Sequence, residues 1–225
     1  MKTTFYMEFT NRELTLPELK INNFKISKQS HGKFLGVIID SELKFNLHIS
    51  YISNKVSKSV GILHRLKSYL PVSNLKTLYF AFVYPYFIYC NLVWGGTFIS
   101  HLDPLVKLQK RAVRNVNKAD FLSHTNGLFL SNNILKLVDI HKKQLAIFVY
   151  KLESRSEFTR NHDYFTRNRD SLLPSRARLT ITQRSLSFSA ISFWNELPDR
   201  IKESPSLPSF KRNVTNHLVN QYRTQ

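Results

Sequence analysis

The sequence predicts a mainly α protein with a small N-terminal antiparallel β portion. This is an α+β chain whose helical bundle is followed by an irregular, arginine-rich C-terminal segment. Three observations carry this reading. Apolar residues recur at helical spacing from about residue 46 onward. Short alternating runs separated by polar turns fill the first forty residues. Only 6 glycines occur in 225 residues, which argues against propellers, collagen-like arrays and glycine-rich nucleotide sites. The texture divides the chain into a strand-bearing portion (1–45), a helical domain (46–153) and an Arg-rich connector with a C-terminal segment (154–225).

In chain order, Phe5, Met7 and Phe9 alternate with Tyr6 and Glu8, the period of a strand. Asn22-Asn23, between Leu19-Lys20-Ile21 and Phe24-Lys25-Ile26, suggests a hairpin turn. Lys33–Asp40, reading Lys-Phe-Leu-Gly-Val-Ile-Ile-Asp, is expected to be one strand that hands over to a helix. Gly36 within it would mark a bulge or the close approach of another backbone.

The first helix is expected over 46–70, with Ile49, Ile52, Val56, Leu63, Leu66 and Leu70 inward and Lys55, Lys58 and Arg65 on another face. Gly61 would mark a close helix crossing, and Pro71 ends the helix. Residues 74–92 read as a buried aromatic helix kinked at Pro85. Asp103 as N-cap and Pro104 at the first helical position start a third helix at about 104–119. Its inward stripe is Leu105, Leu108, Ala112, Val113 and Val116. Lys107, Arg111, Arg114 and Lys118 form a basic ridge along it that no acid interrupts. A further helix spans 131–153, with Leu135, Val138, Leu145, Phe148, Val149 and Leu152 inward. Arg155, Arg160, Arg167, Arg169, Arg176, Arg178 and Arg184 are then scattered through polar residues. Packing resumes with Leu186, Phe188, Ile191, Phe193 and Trp194, and a closing helix runs over about 207–221.

Charge is the strongest global signal. Lys and Arg number 33 against 15 Asp and Glu, a net charge of +18 and a pI of about 10.1. Such a field attracts polyanions and self-repels unless neutralised, so nucleic acid is the leading partner and an acidic membrane surface the second. The ridge residues, with Lys55, Lys58 and Arg65, are the candidates for phosphate contact; the plainer alternative is a solvated face. Residues 77–100 carry no charge and approach the length of a membrane span, but Pro85, Asn91, the tyrosines and basic flanks favour a core helix. Cys90 is the only cysteine, which excludes a disulfide framework and reads as a buried, inert thiol. The N-terminus has no apolar signal core, so an intracellular setting, nucleus or cytoplasm, is expected.

Catalytic signatures are missing. There is no P-loop, no paired dinucleotide glycines and no His-Glu-x-x-His. His48, His64, His101 and His141 sit singly on helical patterns, where surface or cap roles outweigh metal ligation. The aspartates are isolated, with no Asp-Asp pair, whereas two-metal phosphoryl transfer needs carboxylates around ions about 4 Å apart. The residues alone describe a basic binding module, with no small-molecule substrate and no metal site of its own.

Several ordered motifs nevertheless resemble one family. Lys2-Thr3 with Phe5 and Phe9, then Phe34-Leu35-Gly36-Val37 through Asp40, Leu43 and His48-Ile49, look like the end of motif D and the primer grip of a reverse transcriptase. Leu78-Tyr79, Tyr84-Pro85-Tyr86, Tyr89, Trp94-Gly95 and Leu108–Arg114 are similar to its thumb. Thr166-Arg167-Asn168, Trp194-Asn195, Leu197-Pro198 and Phe210-Lys211 are similar to the segment beyond it. The chain thus resembles the C-terminal part of a jockey-like, LINE-type reverse transcriptase from non-LTR retrotransposons.

That resemblance implies an RNA-directed DNA polymerase (a nucleotidyltransferase), with Mg²⁺ in the full-length family and an RNA/DNA template-primer as partner. It makes Phe34, Leu35 and Gly36 primer-grip residues, the helices after residue 46 thumb-like, and Lys2 a motif-D remnant. The family's metal-binding aspartates lie in motifs upstream of motif D and have no counterpart here. A truncated, catalytically inactive fragment that binds no cofactor alone is therefore expected. The alternatives are a standalone basic nucleic-acid-binding protein without enzymatic activity and, behind it, a basic membrane-associated protein.

Overall fold

The computed structural model describes residues 4–9, 18–153, 172, 178 and 180–224. Six short strands come first: β1 (Phe5–Tyr6), β2 (Lys20–Ile21), β3 (Phe24–Lys25), β4 (Ser27–Lys28), β5 (His31–Phe34) and β6 (Val37–Asp40). They form three separate pairs. β1 and β4 are parallel, whereas β2–β3 and β5–β6 are antiparallel hairpins. Asn22 and Asn23 both take positive φ, 47° and 65°, which is the two-residue turn their side chains tolerate best. The expected alternation of Phe5–Phe9 is not seen: Phe5 and Phe9 are exposed, and Tyr6, Met7 and Glu8 are each half-buried.

The largest departure falls on Lys33–Asp40, which is two strands rather than one. Leu35 (φ 45°) and Gly36 (φ 84°) turn the chain back, pairing Phe34 with Val37 and Lys33 with Ile38. The apolar run hides this turn, because its first corner residue is a leucine where asparagine or aspartate is usual. Gly36 is needed for its positive φ and not for a bulge. Asp40 ends the hairpin by accepting backbone N–H groups from Glu42, Lys44 and Phe45 at 3.2, 3.0 and 2.7 Å. That carboxylate shapes the approach to the first helix.

The helices are α1 (Asn46–Leu66), α2 (Val72–Phe82), α3 (Tyr84–Ile88), α4 (Asn91–Trp94), α5 (Ile99–Val116), α6 (Asn126–Ser131) and α7 (Leu137–Glu153). After them come α8 (Thr180–Gln183), α9 (Leu186–Glu196), α10 (Asp199–Lys202) and α11 (Leu207–Asn220), with a closing 3₁₀ turn, Gln221–Thr224. α1 packs along α5, and α2 packs on both; α7 is the centre of the other group, touching α3, α4, α9 and α11. The core holds two aromatic nuclei. Trp94 lies edge-on to His48 at 5.7 Å, and Tyr150 stacks on Phe210 at 4.3 Å beside Trp194.

Several helix expectations are corrected. The 74–92 stretch is three helices, broken at Val83 and again at Tyr89-Cys90, where Cys90 takes a φ of 49°. Pro85 opens α3 instead of kinking a longer helix, because its missing N–H falls where no intrahelical partner exists. One stripe of it, Leu75, Tyr79, Val83, Phe87 and Asn91, is buried; Phe82 and Tyr89 are exposed, and Cys90 is half-buried. Among the described residues no helix is long and apolar enough to cross a membrane. α5 begins five residues before Pro104, so Asp103 lies inside the helix and does not cap it. Gly61 faces open space, so no close crossing exists there. Val138 points outward, while its neighbour Leu137 is buried.

Two histidines are not the surface or cap groups expected. His48 is buried, and its Nδ1 accepts the Ile38 N–H at 3.4 Å, tying the β5–β6 hairpin to α1. His141 meets the Asn91 side-chain oxygen at 2.9 Å; because that amide's nitrogen donates to the Phe87 carbonyl, the imidazole Nδ1 is the donor. Gly95 leaves room for it, since a Cβ there would press on His141 Nδ1 and the Asn91 carbonyl.

Burial holds the His141 pKa down at about 4, against an ordinary value of 6.5. The unfolded chain therefore takes up the proton first, and stability is lost as pH falls from 6.5 towards 4, by about 3 kcal/mol at the lower end. Chemical denaturation across that window is expected to show a shallower pH slope for His141→Gln than for the native chain. Equal slopes would remove His141 from this account.

Candidate nucleic-acid interface

The outward faces of α1 and α5 carry the basic residues. Lys55, Lys58 and Arg65 on α1 are all exposed, as are Lys107, Arg111 and Lys118 on or just beyond α5. The two helices meet where His64 contacts the Asn115 side chain at 3.3 Å and Asn115 donates to the Val60 carbonyl at 3.4 Å. Arg65 follows His64, and Arg111 and Arg114 lie within a turn of Asn115. Arg65 and Arg111 therefore lie within a helical turn of this junction.

The α5 ridge is not uniform. Arg114 is half-buried, and its Nε donates to the Ser123 carbonyl at 2.8 Å while its guanidinium lies 6.0 Å from the Phe121 ring. It anchors the loop after α5, so much of its charge serves the fold. Lys118 lies past the end of α5 at a φ of 55°. Asp103 pairs with Lys107 at 3.5 Å across one helical turn, so one acid does reach the ridge. That pair is exposed and contributes little to stability.

The second half of the site is a groove of about 450 Å³ between α1 and the α2–α3 pair, with the β5–β6 turn at one end. Tyr51, Phe82, Tyr86 and Tyr89 line it, together with Gly36 and Lys55. Tyr89 fixes the turn: its hydroxyl donates to the Leu35 carbonyl at 2.7 Å, and its ring would lie 3.4 Å from a Cβ at Gly36. Phe34 and Leu35 project at the turn, 65% and 73% exposed. Lys33 Nζ donates to the Tyr51 hydroxyl at 3.1 Å and lies 4.7 Å from that ring's centroid; Lys55 Nζ lies 5.1 Å from it. The Lys33 ammonium, with Lys55 beside it, draws the Tyr51 phenol below its ordinary value of 10.

With this geometry, comparison with known proteins becomes informative. Over 149 residues the chain is 26% identical to the probable RNA-directed DNA polymerase from transposon X-element of Drosophila melanogaster, covering 64% of this chain and 16% of that protein. It is 26% identical over 149 residues to the RNA-directed DNA polymerase from mobile element jockey of Drosophila funebris, covering 65% and 16%. The corresponding jockey protein of Drosophila melanogaster is 25% identical over 134 residues, covering 58% and 15%. This chain is similar to RNA-directed DNA polymerases of mobile elements. No family model matches it, and neither does a solved structure. The matches span about 16% of the curated relatives' length.

Set against this geometry, the residues singled out in the sequence fall into two places. Phe34, Leu35 and Gly36 form the hairpin turn at the mouth of the aromatic groove, while Lys58 and Arg65 are exposed on α1 and Lys107 and Arg111 on α5. Lys55 borders the groove. Lys2, Thr3, Arg155, Arg160, Arg167, Arg169, Arg176 and the Thr166–Asn168 triplet lie outside the described residues. Among the described residues no group of three His, Cys, Asp or Glu side chains could hold a metal ion. Sequence reading passed over Lys33 and the groove tyrosines as a site. The only available signal was a basic residue preceding the Phe-Leu-Gly run and a tyrosine-rich segment downstream.

Proposed function

We propose that this chain corresponds to the C-terminal part of a non-LTR reverse transcriptase, in which it binds the template-primer. The observation that carries this is the exposed Phe34-Leu35-Gly36 turn held by Tyr89 at the mouth of a basic, aromatic groove, in a chain similar to RNA-directed DNA polymerases of mobile elements. In this reading the turn sets backbone and apolar surface against the primer end. Lys58, Arg65, Lys107 and Arg111 hold the backbone phosphates, contacts that position without reading sequence. Among the described residues no group of three His, Cys, Asp or Glu side chains could hold the family's Mg²⁺. The role proposed for these residues is binding and orientation.

Fluorescence anisotropy with an RNA/DNA template-primer tests the binding, and a primer-extension assay with Mg²⁺ tests the division of labour. Salt-sensitive binding without extension is expected from the 225-residue chain. Failure to bind at low salt would defeat the proposal, and templated extension would defeat the assignment of binding alone.

A further inference from the structure

The groove between α1 and α2–α3 has an electrostatic peculiarity at its mouth. Lys20, Lys25, Lys28, Lys44 and Lys107 each have a carboxylate partner. Lys33 and Lys55 instead converge on a single phenol, that of Tyr51, and among the described residues neither forms an ion pair. Two ammonium groups drawn to one ring repel each other, and an anion placed between them removes that repulsion. A phosphate is the natural candidate in a chain of net charge +18.

Beyond Lys55 the groove is largely aromatic and apolar. Tyr86 and Tyr89 come from α3 and the residue after it, Phe82 ends α2, and Pro85 and Ile52 add apolar surface. The Tyr89 ring is held in place at the groove by its hydroxyl's bond to the Leu35 carbonyl. A volume of about 450 Å³ lies within the range of sites that enclose small organic groups. An aromatic wall next to a phosphate-seeking pair is the arrangement by which proteins bind unpaired bases, whose π-faces are free to stack; bases within a duplex are covered by their neighbours.

We propose that this groove holds one unpaired nucleotide of a nucleic-acid strand, its phosphate between Lys33 and Lys55 and its base against Tyr86 and Tyr89. The inference rests on the reading of the chain as a nucleic-acid binder but adds a preference that duplex binding does not require. RNA and DNA share the chemistry invoked, so both belong in the test.

The experiment compares binding of the full chain to a blunt hairpin duplex and to the same hairpin with a one-nucleotide 3′ overhang. The overhanging base is 2-aminopurine, in ribo and deoxyribo versions. The overhang is expected to bind about tenfold more tightly than the blunt duplex, with its fluorescence quenched by stacking. Tyr86→Leu keeps apolar bulk without a π-face. It is expected to remove the overhang's advantage, so that this variant binds both hairpins equally, and to abolish the quenching. Lys33→Gln is expected to lower overhang affinity as well.

Equal affinity for the two hairpins would overturn this inference and leave the template-primer reading standing. Loss of binding to both would sink the two together. Displacement of the overhang by phosphatidylserine vesicles, lost in Lys33→Gln, would reassign the groove to a lipid headgroup and overturn it too.

Discussion

Gln109→Leu is expected to destabilise the fold by about 3 kcal/mol, although the two side chains are close in size. Gln109 is fully buried on α5 at the junction between the two helix groups. Its amide nitrogen donates to the Tyr79 hydroxyl at 3.1 Å and to the Leu135 carbonyl at 2.8 Å, and its oxygen accepts the Leu137 N–H at 2.8 Å. That N–H opens α7 and has no intrahelical partner, so the amide serves as a cap supplied from another helix. Leucine would leave a carbonyl and an N–H buried without partners, and each such group costs about 1–3 kcal/mol. Urea denaturation reads this as a lower midpoint at unchanged m, and thermal melting as a fall of roughly 10 °C. A loss below about 1 kcal/mol would mean that the two helix groups are not held together through Gln109.

The second large effect concerns affinity. Reversing Lys58, Arg65, Lys107 and Arg111 to glutamate is expected to weaken template-primer binding about a hundredfold at 0.1 M salt. The slope of log affinity against log salt should flatten by about 3 to 4, since each phosphate contact contributes roughly 0.9. All four side chains are exposed, so the melting temperature should move little. Arg114 is left in place because its bond to the Ser123 carbonyl would confound binding with folding.

The four reversals take the net charge from +18 to +10, so the whole-protein field changes too. A control set separates the two causes. Arg200, Lys211, Arg212 and Arg223 to glutamate makes the same charge change on α10, α11 and the closing turn, which do not pack on α1. An equal loss of affinity in the control would show that overall charge, not these four side chains of α1 and α5, governs binding.

The helical majority of the fold was legible because its apolar stripes are long. Ile49, Ile52, Val56 and Leu63 on α1, and Leu105, Ala112, Val113 and Val116 on α5, are buried as their spacing requires. The Asn22-Asn23 hairpin was legible for the same local reason, since asparagine tolerates the left-handed region. The Lys33–Asp40 hairpin was not. Its turn puts Leu35 at a φ of 45°, a strained choice that becomes tolerable where the Tyr89 hydroxyl, 54 residues away in sequence, holds the Leu35 carbonyl. The start of α5 was missed because a proline signals a beginning, yet the helix already runs from Ile99 through Pro104.

The sequence by itself determined the basic character of this protein, its helical bundle and the outward placing of Lys55, Lys58, Arg65, Lys107 and Arg111, because composition and helical period are properties of neighbouring residues. Only the tertiary structure decided that Arg114 serves the fold, that Gln109 joins the two helix groups, and that Lys33 and Lys55 meet on one tyrosine beside an aromatic groove. Those depend on contacts between residues far apart in the chain, and no local pattern encodes which distant partner a side chain will meet.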